Sequence, residues 1–386
     1  MNETPMRIVY CTPALYMAGG VERVLTLKAN YFAEHFGYNI TIILTEGKDK
    51  PLFYPLSSKV NIINLDIGFE ELWNCNFTKK IFVYLRKQRL YKKRLRNELL
   101  QLRPDITVSL LRREINFITS IKDGSKKIGE MHVNRANYRN FEANETNFVK
   151  SLFGKWWMFR LIGKLHQLNK LVVLTEKDKE AWSELNNVIS ISNPLSFTPK
   201  YCNQSKEKRV IAVGRYCHEK GYDHLLQAWA KIQEDFPEWR LEIFGDGDRT
   251  TYEQLIDDYH IIPKRCILHG RTPDIELEYA KSSIAVCSSR FEGFGLSIIE
   301  AMAYGTPVIS YDCPWGPSSI IKDGEDGLLV SNGNIIELSK KLSFLLSNTN
   351  EVKRLGNNAR QNVQRFSMDV IAKQWKALFE SVTNDK

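Results

Sequence analysis

Ser288-Ser-Arg-Phe-Glu-Gly-Phe-Gly-Leu-Ser-Ile-Ile-Glu-Ala-Met-Ala-Tyr-Gly-Thr-Pro-Val308 is the stretch whose reading decides the fold. The apolar run before it, Ser283–Cys287, has the length of a buried parallel strand. Polar residues end that strand, and a loop follows with glycines at Gly293 and Gly295. Leu296–Tyr304 then reads as a helix, stopped by Gly305-Thr306-Pro307, and Val308–Tyr311 starts the next strand. A strand, a glycine loop and a helix N-terminus suit an anion, because first-turn amides lack helical acceptors and the helix dipole favours negative charge. Gly293 and Gly295 let a ligand approach the backbone closely. Glu292 precedes the loop. Glu300 lies inside the helix, about two turns on from Glu292, where its sign suits hydroxyl donors such as those of a ribose rather than an anion.

The same grammar runs through the chain. Arg7–Cys11, Tyr38–Thr45, Val60–Leu65 and Pro104–Leu111 read as strands alternating with helices, hence βαβ units and parallel sheets. Gly19–Gly20 opens a helix after the first strand; it is not G-x-G-x-x-G, so the NAD fingerprint is absent. His132 sits just beyond a strand end, where ligands gather in open α/β sheets. Ser196–Lys208 is a polar linker. Beyond it, Arg209–Val213 leads into Gly214-Arg215, and after four intervening residues Lys220-Gly221 stands at the start of a helix. Arginine's planar fork and lysine's point charge both suit phosphate oxygens. Asp246-x-Asp248 follows another strand and reads as a turn rather than a metal site.

Glu-x7-Glu enclosing Gly-Phe-Gly, with Glu-Ala-Met-Ala-x-Gly-x-Pro-Val after it, resembles the donor-site motif of family 4 retaining glycosyltransferases of the GT-B fold, as found in bacterial polysaccharide, capsule and lipopolysaccharide synthesis. The resemblance is specific in residues 209–330 and loose in 1–195. It implies two Rossmann-like, doubly wound parallel-sheet domains facing across a cleft: residues 1–195 for the acceptor, 196–367 for the nucleotide sugar, and a terminal helix in 368–386 crossing back to the first. It implies that Gly214, Arg215 and Lys220 clamp the diphosphate, that Glu300 holds the ribose, and that Arg271 and Thr272 lie at the nucleotide base. Glu292 and the backbone of Gly293, Phe294, Gly295 and Leu296 position the sugar, and His132 reaches it from the first domain. The Gly19–Gly20 loop then faces the donor phosphate, although a plain βα turn explains it equally. Ser319 stands where many relatives carry an acidic residue.

Composition sets the remaining bounds. The chain has 386 residues, 43% hydrophobic and 26% charged, enough for two cored domains. Seven scattered cysteines, none in a C-x-x-C pair, point to a reducing compartment and away from a cysteine-zinc site. No signal peptide is expected, and no apolar run approaches the roughly 20 residues that span a bilayer. Residues 1–195 hold 30 Lys and Arg against 19 Asp and Glu, a balance of +11; the rest hold 24 against 26, or −2. The first half therefore expects an acidic partner, an anionic membrane surface or a phosphate-bearing acceptor. Phe77–Leu102 is the most basic element, with an apolar stripe through Phe77, Ile81, Tyr84, Leu85, Tyr91, Leu95, Leu99 and Leu102. The stripe packs on the sheet, and the basic face expects solvent or anionic lipid. Ser151–Asn169 reads as a helix that packs Trp156 and Trp157 inside the first domain, with interfacial anchoring by the two tryptophans as the alternative. No nucleic-acid recognition motif accompanies the charge.

Taken together, the sequence and the resemblance imply a cytoplasmic, peripherally membrane-associated hexosyltransferase. It uses a UDP-linked hexose or N-acetylhexosamine, a lipid-linked or polysaccharide acceptor, and no metal or cofactor. A nucleotide-sugar epimerase on the same scaffold and a non-catalytic, membrane-associated sugar-binding protein are the alternatives.

Overall fold

The computed structural model describes residues 5–74, 76–135, 138, 148–201 and 206–384. The chain divides into two compact units, Met1–Pro194 with Met368–Lys386, and Leu195–Ser367. The first contains seven parallel strands: β1 (Arg7–Thr12), β2 (Asn39–Leu44), β3 (Val60–Asn64), β4 (Ile106–Ser109), β5 (Lys126–Glu130), β6 (Lys170–Val173) and β7 (Val188–Ser190). Their order is β3-β2-β1-β4-β5-β6-β7, so β1 lies between β2 and β4, pairing Ile8 with both Ile40 and Ile106. Successive residues of β1 serve opposite faces, as the strand period demands. Val9 and Cys11 join the core beneath α2 (Phe77–Leu102) and α3 (Phe148–Leu165); Ile8 and Tyr10 join the core beneath α1 (Gly20–His35) and the terminal helix.

That terminal helix, Met368–Asn384, buries Ile371, Ala372, Trp375, Leu378, Phe379 and Val382. Steps of one, three and four keep these side chains on one stripe. Phe379 meets Phe32 of α1 edge-on at 5.8 Å between ring centroids. Beneath it, the buried Lys28 of α1 places its ammonium 4.1 Å from the Trp375 ring centroid and pairs with the buried Glu130 at the end of β5. Burial alone would raise the Glu130 carboxyl; Lys28, and then His132, outweigh it and hold the carboxyl down at about 2.

The second unit has six parallel strands: β8 (Glu207–Val213), β9 (Arg240–Phe244), β10 (Cys266–His269), β11 (Ser282–Cys287), β12 (Val308–Asp312) and β13 (Gly327–Ser331). They lie in the order β10-β9-β8-β11-β12-β13. After α4 (Glu176–Ala181) of the first unit, their helices are α5 (Tyr222–Ala230), α6 (Thr250–Asp258), α7 (Ile275–Lys281), α8 (Leu296–Ala303), α9 (Ile335–Ser347) and α10 (Thr349–Asn362). Both units are the doubly wound parallel sheets that the sequence predicts.

Two surface expectations need correction. The stripe of α2 is continuous in sequence, but only its later part is buried: Tyr91, Leu95 and Leu99 sit in the core, whereas Ile81 and Leu85 are exposed, with Phe82 beside them at 70% exposure. Phe77's side chain lies outside the described residues. Lys87, on the supposedly solvated basic face, is buried, donating to the Ile67 carbonyl at 2.6 Å and pairing with Glu71 at 3.0 Å. Of the two tryptophans of α3, Trp157 packs inward and Trp156 is half exposed, because adjacent helical residues point about 100° apart and cannot share one core face.

Lys28→Ala strands a buried carboxylate and should cost about 3–5 kcal/mol of first-unit stability, whereas Lys28→Met with Glu130→Gln should cost less, since no charge is left unpaired. Urea unfolding of the full chain measures both, and an equal loss would refute the account. Because Glu130's folded pKa lies below its unfolded value of about 4.3, its contribution is whole above about pH 4.3 and fades as pH falls toward about 2.

Candidate active site

In an open parallel sheet, a crevice forms where neighbouring strands send their connections to opposite faces, at the strands' carboxyl ends. In the second unit that point lies between β8 and β11. The chain leaves β8 at Gly214 and β11 at Ser288, and the two exit loops are stitched together. Gly221 has φ +61°, and a Cβ there would overlap the Ser288 carbonyl oxygen, so both its conformation and its surroundings require glycine. The Ser288 hydroxyl donates to the Lys220 carbonyl at 2.9 Å, and the Arg290 amide donates to the Glu219 carbonyl at 2.8 Å. The Arg290 guanidinium reaches the His218 carbonyl at 2.6 Å and forks onto Asp223 at 2.9 and 2.6 Å.

This stitching holds Lys220 against Glu292. Their Nζ and Oε1 atoms are 2.6 Å apart, with side chains 22% and 12% exposed, and the Ser289 hydroxyl donates to the same oxygen at 2.6 Å. Burial opposes ionisation of Glu292, but the ammonium and then the Ser289 hydroxyl more than offset it and hold the carboxyl below its usual range. Burial likewise opposes charge on Lys220, and Glu292 more than restores it. The stem of Lys220 lies across Gly214: a Cβ at Gly214 would come within 2.8 Å of Lys220 Cε. The residue after Gly214, Arg215, is exposed, and its guanidinium makes no hydrogen bond or ion pair with the described residues. The two cations of the sequence motif thus differ: Lys220 is engaged and Arg215 is open.

Next to the pair, Gly295 caps α8 at φ +106°, a conformation that favours glycine. Phe294 is buried and meets Phe366 edge-on at 5.5 Å, so it offers its backbone while its ring anchors the loop. Gly316 presses on this loop, where a Cβ would approach the Phe294 carbonyl oxygen at 2.8 Å and Glu292 Cβ at 3.0 Å. Gly293 is partly accessible, as is Leu296 at the helix start. Glu300 is buried and accepts from the Tyr279 hydroxyl at 3.3 Å.

Other sequence candidates have local partners. Arg271 pairs with Asp246. The Thr272 hydroxyl accepts from the Asp274 amide at 3.2 Å, and Asp274 in turn caps α7. Asp248 accepts from the Thr250 amide at 3.0 Å and from its hydroxyl at 2.7 Å, so Asp246 and Asp248 serve different neighbours. Among the described residues, no group of three or more His, Cys, Asp or Glu side chains is placed to hold a metal ion.

Gly19, Gly20 and His132 belong to the first unit. Gly19 is the N-cap of α1, with the Glu22 carboxylate folded against its Cα; Gly20 begins the helix. His132 is 6% exposed at its side chain, its Nε2 lying 3.1 Å from Glu130 Oε1, the oxygen that also holds Lys28. Glu130 is a residue the sequence reading passed over, although its signal was present. Residues two apart on an extended strand share a face, and Glu130-Met-His132 has that spacing. Arg290, Asp223, Ser288 and Ser289 were also passed over. Two of these partners are 67 residues apart, and no local pattern announces their contact.

Residues 197–362 match the family described as Glycosyl transferases group 1. An uncharacterized glycosyltransferase of Haemophilus influenzae is 28% identical over 94% of this chain and 96% of its own length. A Campylobacter jejuni GalNAc-alpha-(1->4)-GalNAc-alpha-(1->3)-diNAcBac-PP-undecaprenol alpha-1,4-N-acetyl-D-galactosaminyltransferase is 27% identical over 95% and 96%. A poly(ribitol-phosphate) alpha-N-acetylglucosaminyltransferase of Staphylococcus aureus is 28% identical over 69% of this chain, which spans about half (52%) of that relative's length. In fold, the chain is similar to a variant of S. aureus TarM crystallised with Fondaparinux, alpha-GlcNAc-glycerol and UDP, at a TM-score of 0.76 and 17% identity, over 97% of this chain and 99% of that one.

Two glycine substitutions test the stitched loops. Gly324 has φ +73° with open space around it, whereas Gly221 has φ +61° against a backbone carbonyl. Gly324→Ala should therefore cost only the strain of the left-handed conformation, about 1 kcal/mol, and Gly221→Ala at least that much again. Thermal unfolding of the two variants reads the difference; equal costs would mean the Ser288 carbonyl yields freely.

Proposed function

We propose, from the premise that residues 197–362 form a glycosyl transferases group 1 domain on a GT-B fold, that the protein is a retaining, metal-independent hexosyltransferase of bacterial cell-surface glycan synthesis. Its donor is a UDP-linked hexose or N-acetylhexosamine, and its acceptor is lipid-linked or a polysaccharide. One observation carries this reading. The open guanidinium of Arg215, the Lys220–Glu292 pair and the glycine-capped start of α8 all belong to the loops leaving β8 and β11 at the second sheet's switch point.

In this reading the donor's diphosphate takes the open guanidinium of Arg215 and competes with Glu292 for Lys220. These cations stabilise the charge that grows on the leaving phosphate. Glu292, ionised and therefore acceptor only, takes hydroxyl donors of the sugar as its lysine is shared. Glu300, anchored to Tyr279, takes the ribose hydroxyls. Arg271 and Thr272 flank the base, with Arg271 exchanging or sharing Asp246. The bond from the anomeric carbon to the phosphate oxygen breaks while the acceptor oxygen bonds that carbon on the same face. The acceptor proton passes to the leaving phosphate, so no protein nucleophile is required. His132, braced by Glu130, and the Gly19–Gly20 turn are the first unit's contribution.

The reading extends to the membrane. Among the described residues no helix is long and apolar enough to cross one. The early turns of α2 instead expose Ile81, Phe82 and Leu85 beside Lys79, Lys80, Arg86 and Arg89, with Trp73 at 74% exposure shortly before them. Exposed apolar side chains interleaved with cations suit peripheral attachment to an anionic cytoplasmic leaflet.

The test is a panel of nucleotide sugars in a thermal-shift assay followed by transfer assays, since a ligand that binds only the folded state raises Tm. A UDP-sugar should raise it, and indifference to every nucleotide would sink the reading. Arg215→Ala removes a charge-assisted contact worth about 1.5–3 kcal/mol, so kcat/KM should fall roughly ten- to a hundredfold. EDTA should leave transfer intact; loss of activity on chelation would return Asp246 and Asp248 to consideration.

A further inference from the structure

Behind the Lys220–Glu292 pair, the fork of Arg290 onto Asp223 has a third partner. His224 Nε2 lies 3.0 Å from Arg290 Nη2. A guanidinium stays protonated and carries donors only, so this contact requires a lone pair on Nε2 and places the ring hydrogen on Nδ1. The neutral Nδ1–H ring is the form that completes the socket. His224 follows Asp223 at the start of α5, with its side chain 24% exposed. Its Nδ1 is enclosed without a hydrogen-bond partner among the described residues. So is the hydroxyl of Tyr311, whose ring meets the imidazole edge-on at 6.0 Å between centroids.

The socket joins the two loops that carry the ion pair. Arg290 comes two residues before Glu292, and Asp223 three after Lys220. From the turn ahead of α9, the Asn332 side-chain amide donates to the Arg290 carbonyl at 3.2 Å. Displacing Arg290 therefore loosens the short segment that leads to Glu292.

Protonation would reverse both roles of His224. Nε2 would become a donor and face Arg290 as a like charge. Asp223 Oδ2, 3.9 Å away, would become its partner, and that oxygen already holds Arg290 Nη2 at 2.6 Å. A charged His224 thus repels Arg290 and competes for its carboxylate. The surroundings favour the neutral ring. Burial and then Arg290 push the imidazole below its usual value, Asp223 opposes them, and His218 from the turn before α5 adds to the push. From the other elements packed here come Tyr311 on β12, Gly333 ahead of α9, and Tyr252 on α6, which acts on Arg290. Glu337, in the first turn of α9, is committed to the Ser331 amide at 3.1 Å.

We infer that His224 is a positioning residue that couples the donor clamp to pH. Neutral, it completes the socket that keeps Arg290 between the two loops; protonated, it displaces Arg290 and lets Lys220 and Glu292 part. The word donor rests on the proposed transferase reading, but the lock does not. Because the folded ring titrates below its unfolded value of about 6.5, the lock is whole above about pH 6.5 and is lost as pH falls below it.

Two measurements on the full chain test the lock without a ligand. At about pH 7.5, the ring nitrogen chemical shifts of His224 should report the Nδ1–H tautomer; the Nε2–H tautomer would overturn the inference. Amide exchange, corrected for the intrinsic rate, is then compared at about pH 7.5 and about pH 5.5. The Arg290 amide, which donates to the Glu219 carbonyl, should lose protection severalfold at the lower pH, whereas the Ala285 amide inside the second sheet should not. His224→Gln keeps an acceptor but cannot ionise, so it should abolish this response, and His218→Gln should leave it as in the wild type. A response that persists in His224→Gln or vanishes in His218→Gln overturns the inference; Tm and near-UV dichroism confirm that the variants fold. Stabilisation by a UDP-sugar is read on the same samples and should fall at the lower pH in the wild type but not in His224→Gln. Stabilisation that ignores pH while the loop responds would overturn the coupling. Absence of stabilisation at either pH, with the loop response intact, would sink the donor reading and leave the lock standing.

Discussion

The contact between Lys220 and Glu292, 2.6 Å across two loops that lie 72 residues apart in sequence, is the constraint around which the second unit is arranged. Neither group would keep its charge in so enclosed a place without the other, because withdrawing one ion from water costs more than most contacts return. The pairing in turn requires the loops to lie side by side. That proximity is why Gly221 has no room for a side chain against Ser288, and why Gly214 must let the lysine stem pass. Arg290 and Asp223 lock the same pair of loops from outside. On the proposed reading, an anion entering this place meets a cation already held in position and already partnered, and its binding is an exchange of partners.

The first unit repeats the device with different parts. Lys28, Glu130 and His132 form a buried charged group, roofed by Trp375 from the terminal helix. One carboxylate again fixes a lysine and here braces a second side chain as well. Replacing such a group by well-packed apolar residues can be neutral or stabilising. On the proposed reading, its presence at the carboxyl end of β5 serves to position His132.

The surface divides along related lines. The later turns of α2 spend their apolar stripe on the core, while the early turns leave Ile81, Phe82 and Leu85 uncovered among cations. Some of the basic residues that look like surface charge are struts: Lys87 ties α2 to the Ile67 carbonyl, and Arg94 donates to the Asp66 carbonyl at 2.9 Å. The cations that remain in excess are those with no structural duty of this kind. They fall on the start of α2.

The sequence by itself determined the parallel sheets, because parallel strands covered on both faces are continuous apolar runs and each is punctuated by glycine or proline. It determined the bounds of α2, whose apolar spacing runs from Phe77 to Leu102 and stops at Pro104, and it singled out Gly214, Lys220, Glu292 and Gly295 because their spacing encodes strand, turn and helix start. It could not tell that Lys220 is engaged while Arg215 is open, that Arg271 faces Asp246, or that Glu130 stands behind His132. Nor could it separate the buried half of the α2 stripe from the exposed half, since periodicity gives the direction of a side chain but not what lies there. Those outcomes belong to the tertiary structure, because a charge's state is set by neighbours that the fold brings from far along the chain, and Coulomb and desolvation energies depend on distance and burial in space, not on separation in sequence.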